Sequence, residues 1–295
     1  MPADKDAVVA VISDMQVGGK TALAPLKWSL NDGDSYHASP AQRIIHRQWI
    51  SSAKAVHDLL TENKQRKRLI IVLNGEPIDG DHHDSPQIIT RNRTEQASMA
   101  ASLIDEWMQV AEYEPKRGDC MYLVRGTTAH EKGEHINTIG RDLDGVVPLR
   151  RDSSPLKKDG CYYYQKLRKT INGQYFHITH HGFSRGTRAW TTENSIAYSL
   201  KSLYFTCLDQ GLKIPDYVVT SHYHVFNQAY YYGKQKTMYG CTTPCWQLKT
   251  HFGNQVAALE DVNTIGMVSF DVLKSGATKV YPEFMEVEDS PITEF

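Results

Sequence analysis

The chain has 295 residues, 40% of them hydrophobic, and a formal net charge of −1. That length and apolar content allow a sizeable core and exclude global disorder. The near-neutral balance excludes a chain-wide electrostatic grip on nucleic acid and leaves only a local basic groove open. No run of about 18 apolar residues occurs, so no membrane span is expected. The opening MPADKDAVVAVISD lacks a basic segment followed by an apolar one and does not read as a secretory signal. Five cysteines without a paired framework (Cys120, Cys161, Cys207, Cys241 and Cys245) suit a reducing cytosol, so a cytoplasmic location is expected. The close pair Cys241 and Cys245 reads as two small hydrophobes.

Residues 7–13 are almost all apolar and read as a strand covered on both faces, with Asp14 directly after it. Residues 17–38 are rich in Gly, Ser and Asp and read as loop. Ser39-Pro40 gives a helix cap and a first-turn proline, and Ile45, Trp49, Ala53, Val56 and Leu60 follow at helical spacing. The basic run KQRKR then reads as a solvated helix end. A second buried strand is expected over Leu69–Leu73, a helix over Thr94–Tyr113 and a third strand over Met121–Val124. That alternation predicts parallel strands with right-handed crossovers.

The second half is richer in β signals. Cys161–Leu167 and Gln174–Thr179 flank Asn172-Gly173 and read as a hairpin. Glu193–Leu208 reads as helix and Tyr217–Thr220 as a short strand. Ala229–Tyr232, Thr237–Tyr239, Thr264–Leu273 and Thr278–Met285 are further strands. The tyrosines 162–164 and 230–232 are expected to pack between sheets. No linker divides the chain, so one domain over 1–295 is expected, its C-terminal part from about 226 being β-rich. The architecture predicted is two mixed sheets packed together with helices outside.

The chemistry-bearing residues follow the apolar runs. Asp14-Met15-Gln16, Gly75-Glu76-Pro77-Ile78-Asp79, Gly126-Thr127-Thr128-Ala129-His130-Glu131, His180-His181-Gly182 and Ser221-His222-Tyr223-His224 each come just after a strand signal. Polar, metal-competent side chains gathered at the carboxyl ends of strands build one site there. Two metals roughly 3.5–4 Å apart need a bridging carboxylate and terminal His, Asp, Asn or Gln ligands. These blocks supply both kinds.

In order and context the five blocks resemble those of the calcineurin-like metallophosphoesterases over residues 8 to about 230. That family carries Asp-x-His, Gly-Asp-x-x-Asp, Gly-Asn-His-(Asp/Glu), an isolated His and Gly-His-x-His. Gln16 stands where the family has His, Glu76 where it has the bridging Asp, and block three has no Asn, with Thr128 the nearest oxygen donor. The resemblance implies an α/β fold, a four-layer α-β-β-α sandwich of two mixed sheets, and two divalent metals (manganese, iron, zinc or magnesium). One metal would take Asp14, Glu76 and His224 with Gln16 as a further candidate. The other would take Glu76, His180 and His222 with Thr128 as a further candidate, His181 being second choice to His180. His130 would sit at the leaving group as acid or charge stabiliser, and Asp79 would support the site. Attack by a metal-bound hydroxide on phosphorus would follow.

Gln16 and Thr128 stay open between ligand and ordinary loop residue. Arg125, Arg185 and Arg188 are candidate phosphate-binding groups or plain surface charges. His82 and His83 read as loop residues ahead of groups that reach the site, and Glu131 and Glu134 as exposed positions ahead of replacements for the missing ligand. The expected activity is a metal-dependent phosphodiester or phosphomonoester hydrolase, a nuclease or small-molecule diesterase ahead of a protein phosphatase. Its partner would be a phosphate ester, with nucleotides and nucleic acid included, and no membrane. A non-catalytic scaffold of the same fold is the competing reading, and hydrolysis of another bond such as an amide is a third.

Overall fold

The computed structural model describes residues 5–63, 65–81, 86–130, 134–149, 161–183, 191–249 and 263–287. Expectations for His82, His83, Glu131, Arg185 and Arg188 lie outside them.

The first half alternates as its sequence predicts. Strand β1 (Ala7–Ile12) precedes a small hairpin, β2 (Lys27–Ser29) and β3 (Ser35–His37), inside the segment expected to be loop. Helix α1 (Pro40–Thr61) begins on a Ser39 capping box closed by Gln42. Then come β4 (Arg68–Asn74), α2 (Arg93–Val110) capped by Asn92, β5 (Cys120–Val124) and α3 (Glu134–Asp142). The second half runs β6 (Tyr163–Tyr164), β7 (Leu167–Ile171), β8 (Gln174–Ile178), α4 (Thr192–Asp209), β9 (Tyr217–Thr220), β10 (Asn227–Tyr232), β11 (Thr237–Thr242), β12 (Asn263–Val272) and β13 (Thr278–Val287).

Two mixed sheets result. The six-stranded one has the order β13-β12-β1-β4-β5-β6, and the five-stranded one β10-β11-β9-β8-β7. In the first, β1, β4, β5 and β6 run parallel, while β12 pairs antiparallel with β1. In the second, β8, β9 and β11 run parallel and β7 and β10 close the edges antiparallel.

The alternation of β1 explains its continuous apolar run. Val8, Ala10 and Ile12 face α1 and α2 in one core. Ala7, Val9 and Val11 face Phe176, Ile178 and Val219 of the other sheet in a second core. A third core lies under α4, where Ile196, Leu200 and Tyr204 meet Val218 and Met238. Three successive cores between four layers make an α-β-β-α sandwich. No helix among the described residues is long and apolar enough to cross a membrane.

Three local expectations are corrected. The hairpin begins at Leu167, with Asn172 and Gly173 both at positive φ (47° and 84°) in its turn. Tyr163–Tyr164 instead joins β5 in the other sheet, its extended backbone completing that edge. The basic run is not a solvated helix end, because α1 stops at Thr61. Arg66 grips the buried Asp119 with two bonds of 3.1 and 2.8 Å. Lys67 is buried and holds Asp271 at 2.8 Å and Glu62 at 3.1 Å. The tyrosines divide: Tyr162 and Tyr163 pack on the helix-side core, Tyr164 on the inter-sheet core and Tyr231 under α4. Tyr230 and Tyr232 stand out from the edge strand β10, exposed by 51% and 78%.

Candidate metal centre

Five loops carry the chemistry, each leaving the carboxyl end of a parallel strand: β1, β4, β5, β8 and β9. Backbone bonds hold the loops together in pairs. Asp14 N–H donates to the Gly75 carbonyl at 3.1 Å and Gln16 N–H to the Glu76 carbonyl at 3.1 Å. Ser221 N–H donates to the His180 carbonyl at 2.9 Å, joining the loop after β8 to the loop after β9. Trp246 N–H reaches the Asp14 carbonyl at 2.9 Å from a distant segment.

Beneath the loops runs a buried chain of hydroxyls that no motif signals. Ser13 Oγ lies 2.6 Å from Thr243 Oγ1, which donates to Ser221 Oγ at 2.8 Å, and Asn74 Nδ2 donates to the same Ser221 Oγ at 2.6 Å. Each of Ser13, Asn74 and Ser221 lies one or two residues before a candidate ligand. The network therefore fixes Asp14, Glu76 and His222 relative to one another.

The backbone is strained where those ligands sit. Seven described non-glycine residues have positive φ, and five of them are Asp14 (49°), Gln16 (50°), Glu76 (51°), His222 (77°) and His224 (59°). Such conformations cost on the order of 1–3 kcal/mol each and gather at functional sites. Gly75 is required by close approach as well as by its φ of 86°. A Cβ there would lie 2.3 Å from His180 Nδ1.

The side chains converge on Glu76, which is 1% exposed. His180 Nε2 is 3.1 Å from Glu76 Oε1 and 3.8 Å from Asp14 Oδ1. His222 Nδ1 is 3.8 Å from Glu76 Oε1, His130 Nε2 is 3.7 Å from Glu76 Oε2, and His224 Nε2 is 3.4 Å from Asp14 Oδ1. Glu76 accepts from Gln16 Nε2 at 2.6 Å and from the Thr127 hydroxyl at 2.6 Å. Thr128, left open by the sequence between ligand and loop residue, is exposed, and its neighbour Thr127 is the residue on Glu76. Thr127 carries no ligand-like signature in the sequence, and only the path of the loop separates the two.

Imidazole tautomers follow from carbonyl partners, which can only accept. His180 Nδ1 donates to Asn74 O at 2.8 Å, and His130 Nδ1 donates to Asp79 O at 2.6 Å. Both rings are thereby oriented with Nε2 toward Glu76.

A metal fits this donor set. Asp14 Oδ1, Gln16 Oε1, Asn74 Oδ1 and His222 Nδ1 are buried without a hydrogen-bond partner, and His180 Nε2 faces only the carboxylates of Glu76 and Asp14. Orphaned buried polar atoms are rare and costly. Asp14, Glu76 and His180 place ligand atoms within 4.8 Å of one another, as do His180, His181 and His222. Burial opposes charge on the His180 ring, but the carboxylates of Asp14 and Glu76 outweigh it and push its pKa up to about 9. Burial likewise opposes charge on Glu76, and His180, His222 and His130 overrule it and hold the carboxyl well below the usual range. Two buried carboxylates thus demand positive charge, which a divalent cation would supply in place of the imidazole proton.

Asp79 lies beside this group. Burial pushes its carboxyl up to about 7, Gln247 at 3.4 Å and His224 oppose the shift, and Glu76 adds to it. Arg125 leaves β5 with its guanidinium over the Tyr163 ring, 5.6 Å from the centroid.

No family model matches this sequence, and no curated protein matches it. Among solved structures, a conserved uncharacterized protein of Streptococcus pneumoniae, described as a predicted phosphoesterase, aligns over 94% of this chain and 97% of its own, at 10% identity and a TM-score of 0.33. A Thermotoga maritima protein aligns over 95% and 99% at 10% identity, TM-score 0.34. The sulfate thiohydrolase SoxB of Thermus thermophilus, in complex with glycerol, aligns over 97% of this chain and 57% of its own at 9% identity, TM-score 0.37. At these identities and scores no residue or activity carries over from them to this chain.

Proposed function

We propose that this chain is a metal-dependent phosphoesterase of the calcineurin-like kind, acting on a phosphodiester or phosphomonoester. One observation carries the reading. Asp14, Glu76 and His222, each at positive φ, converge with His180 at strand ends, their buried ligand atoms facing one another. A scaffold that bound no metal would keep both the strain and this buried charged cluster with only its internal ion pairs to offset them.

Asp14, Glu76 and His224, with Gln16 beside them, would hold one cation, and Glu76, His180 and His222 the other. Divalent cations there would neutralise the phosphate oxygens and lower the pKa of water. Glu76 would be the shared ligand: its two oxygens face different partners, Oε1 toward His180 and His222 and Oε2 toward Gln16 and His130. As an imidazolium, protonated on both ring nitrogens, His130 would give its Nε2 proton to the leaving oxygen while Nδ1–H stays on the Asp79 carbonyl. Asp79 would steady that loop from its buried position. Arg125 is the described candidate for gripping a phosphate oxygen.

The test is manganese-dependent hydrolysis of bis(p-nitrophenyl) phosphate by the parent, Glu76→Ala and His222→Ala. Turnover by the parent and its loss in both variants is expected. A metal-loaded parent without turnover on diester or monoester probes would sink the reading.

A further inference from the structure

The two groups of donors share His180, and that sharing has to be resolved. Nδ1 of His180 is committed to the Asn74 carbonyl at 2.8 Å, which leaves only Nε2 to ligate. One nitrogen lone pair serves one cation. The partition follows from the neighbours. Asp14 Oδ1 has His224 Nε2 at 3.4 Å on one side, while Glu76 Oε1 has both His180 and His222 on the other, at 3.1 and 3.8 Å. His181 stands on this second side. Its ring centroid is 4.2 Å from that of His222 and 5.0 Å from that of His180, and its ligand atom falls within the same 4.8 Å cluster. The loop after β5 offers this side no amide. Thr127 spends its hydroxyl proton on Glu76, and Thr128 is exposed.

Resting on the metal-centre reading above, we propose that His181 is a direct ligand of the second cation, so that His180, His181 and His222 form a three-imidazole site closed by Glu76. Imidazole suits zinc, cobalt and nickel, whereas magnesium and calcium prefer oxygen. The Asp14 side is richer in oxygen and is less selective. His181 is also the exposed member of the trio, with His180 buried, so the second cation enters and leaves past it.

Metal content separates this inference from the proposed function without reading activity. Metal-free parent and His181→Ala are dialysed against zinc, and separately against magnesium, and bound metal is counted by mass spectrometry. Circular dichroism melting confirms that the variant, altered at an exposed position, is folded. The parent is expected to bind two zinc ions per chain, with magnesium failing to fill the second site. His181→Ala is expected to keep the first zinc and to bind the second roughly 10–100-fold more weakly or not at all. Two zinc ions bound by His181→Ala at parental affinity would overturn the role of His181 and leave the metal centre standing. A parent that binds no zinc would overturn both.

Discussion

The amide nitrogen of Gln16 donates to Oε2 of Glu76 at 2.6 Å, and both residues hold positive φ, 50° and 51°. A neutral donor thus anchors the carboxylate that the rest of the site surrounds, and the other end of the same amide, Oε1, is left buried without a partner.

That contact makes Gln16→Glu informative. The substitution replaces the donor with a second carboxylate against a buried one, and both cannot stay charged without a cation. The metal-free variant should lose on the order of 1–3 kcal/mol of stability, the cost of leaving a buried acceptor without its donor. Saturating zinc should recover much of that loss. Thermal melts with and without zinc measure it, and an unchanged metal-free melting temperature would contradict the anchoring role.

His177, on β8 and 8% exposed, gives a pH-dependent prediction. Burial, then Arg168 and Lys166, push its pKa down from 6.5 to about 4. The unfolded chain therefore binds a proton that the folded chain refuses between these values. Stability should fall as pH drops from about 6.5 toward about 4 and level off below, by up to about 3 kcal/mol. His177→Phe should remove that component. Urea midpoints of parent and variant at pH 7 and 4.5 compare them, and equal acid losses in both would exclude His177 as the source.

Lys67→Met should be strongly destabilising. Its ammonium group is 2.8 Å from Asp271 Oδ2, and the other oxygen of Asp271 has no partner. Removing the lysine leaves a buried carboxylate uncompensated, at a cost of about 3–5 kcal/mol. Lys67→Met combined with Asp271→Leu should recover most of it in denaturant titrations. A double variant no more stable than Lys67→Met would show that the pair is not what the single change breaks.

What the sequence made legible follows from the length of each signal. The apolar run of β1 and the helical repeat of Ile45, Trp49, Ala53, Val56 and Leu60 are long, and each is the pattern its burial requires. The nine residues of α3 and the three-residue strands β2 and β3 are too short for a period to stand out. Tyr163 and Tyr164 join the first sheet because β5 offers them an edge, which no local pattern announces. Lys67 looked like part of a solvated charge run because its partner Asp271 lies 204 positions away. At the site, the motifs pointed to Asp14, Glu76, His180, His222 and His224, which the fold brings together. The hydroxyl network of Ser13, Ser221 and Thr243 is not legible in the sequence, because a hydroxyl buried beneath a loop is spelled the same way as one in water.

The pairing of β1 with β12 has a consequence for how the molecule is made. Val9 lies opposite Phe270 in that register, so nearly the whole chain must leave the ribosome before the first strand gains its second neighbour. Until then β1 offers an open hydrogen-bonding edge of valine and alanine, a template for pairing with other chains. Parallel strands and distant partners also slow folding. Trp246, whose backbone closes on Asp14, comes almost as late. A newly synthesised chain therefore holds its donors, Asp14 to His224, before Trp246 and β12 arrive to finish the centre.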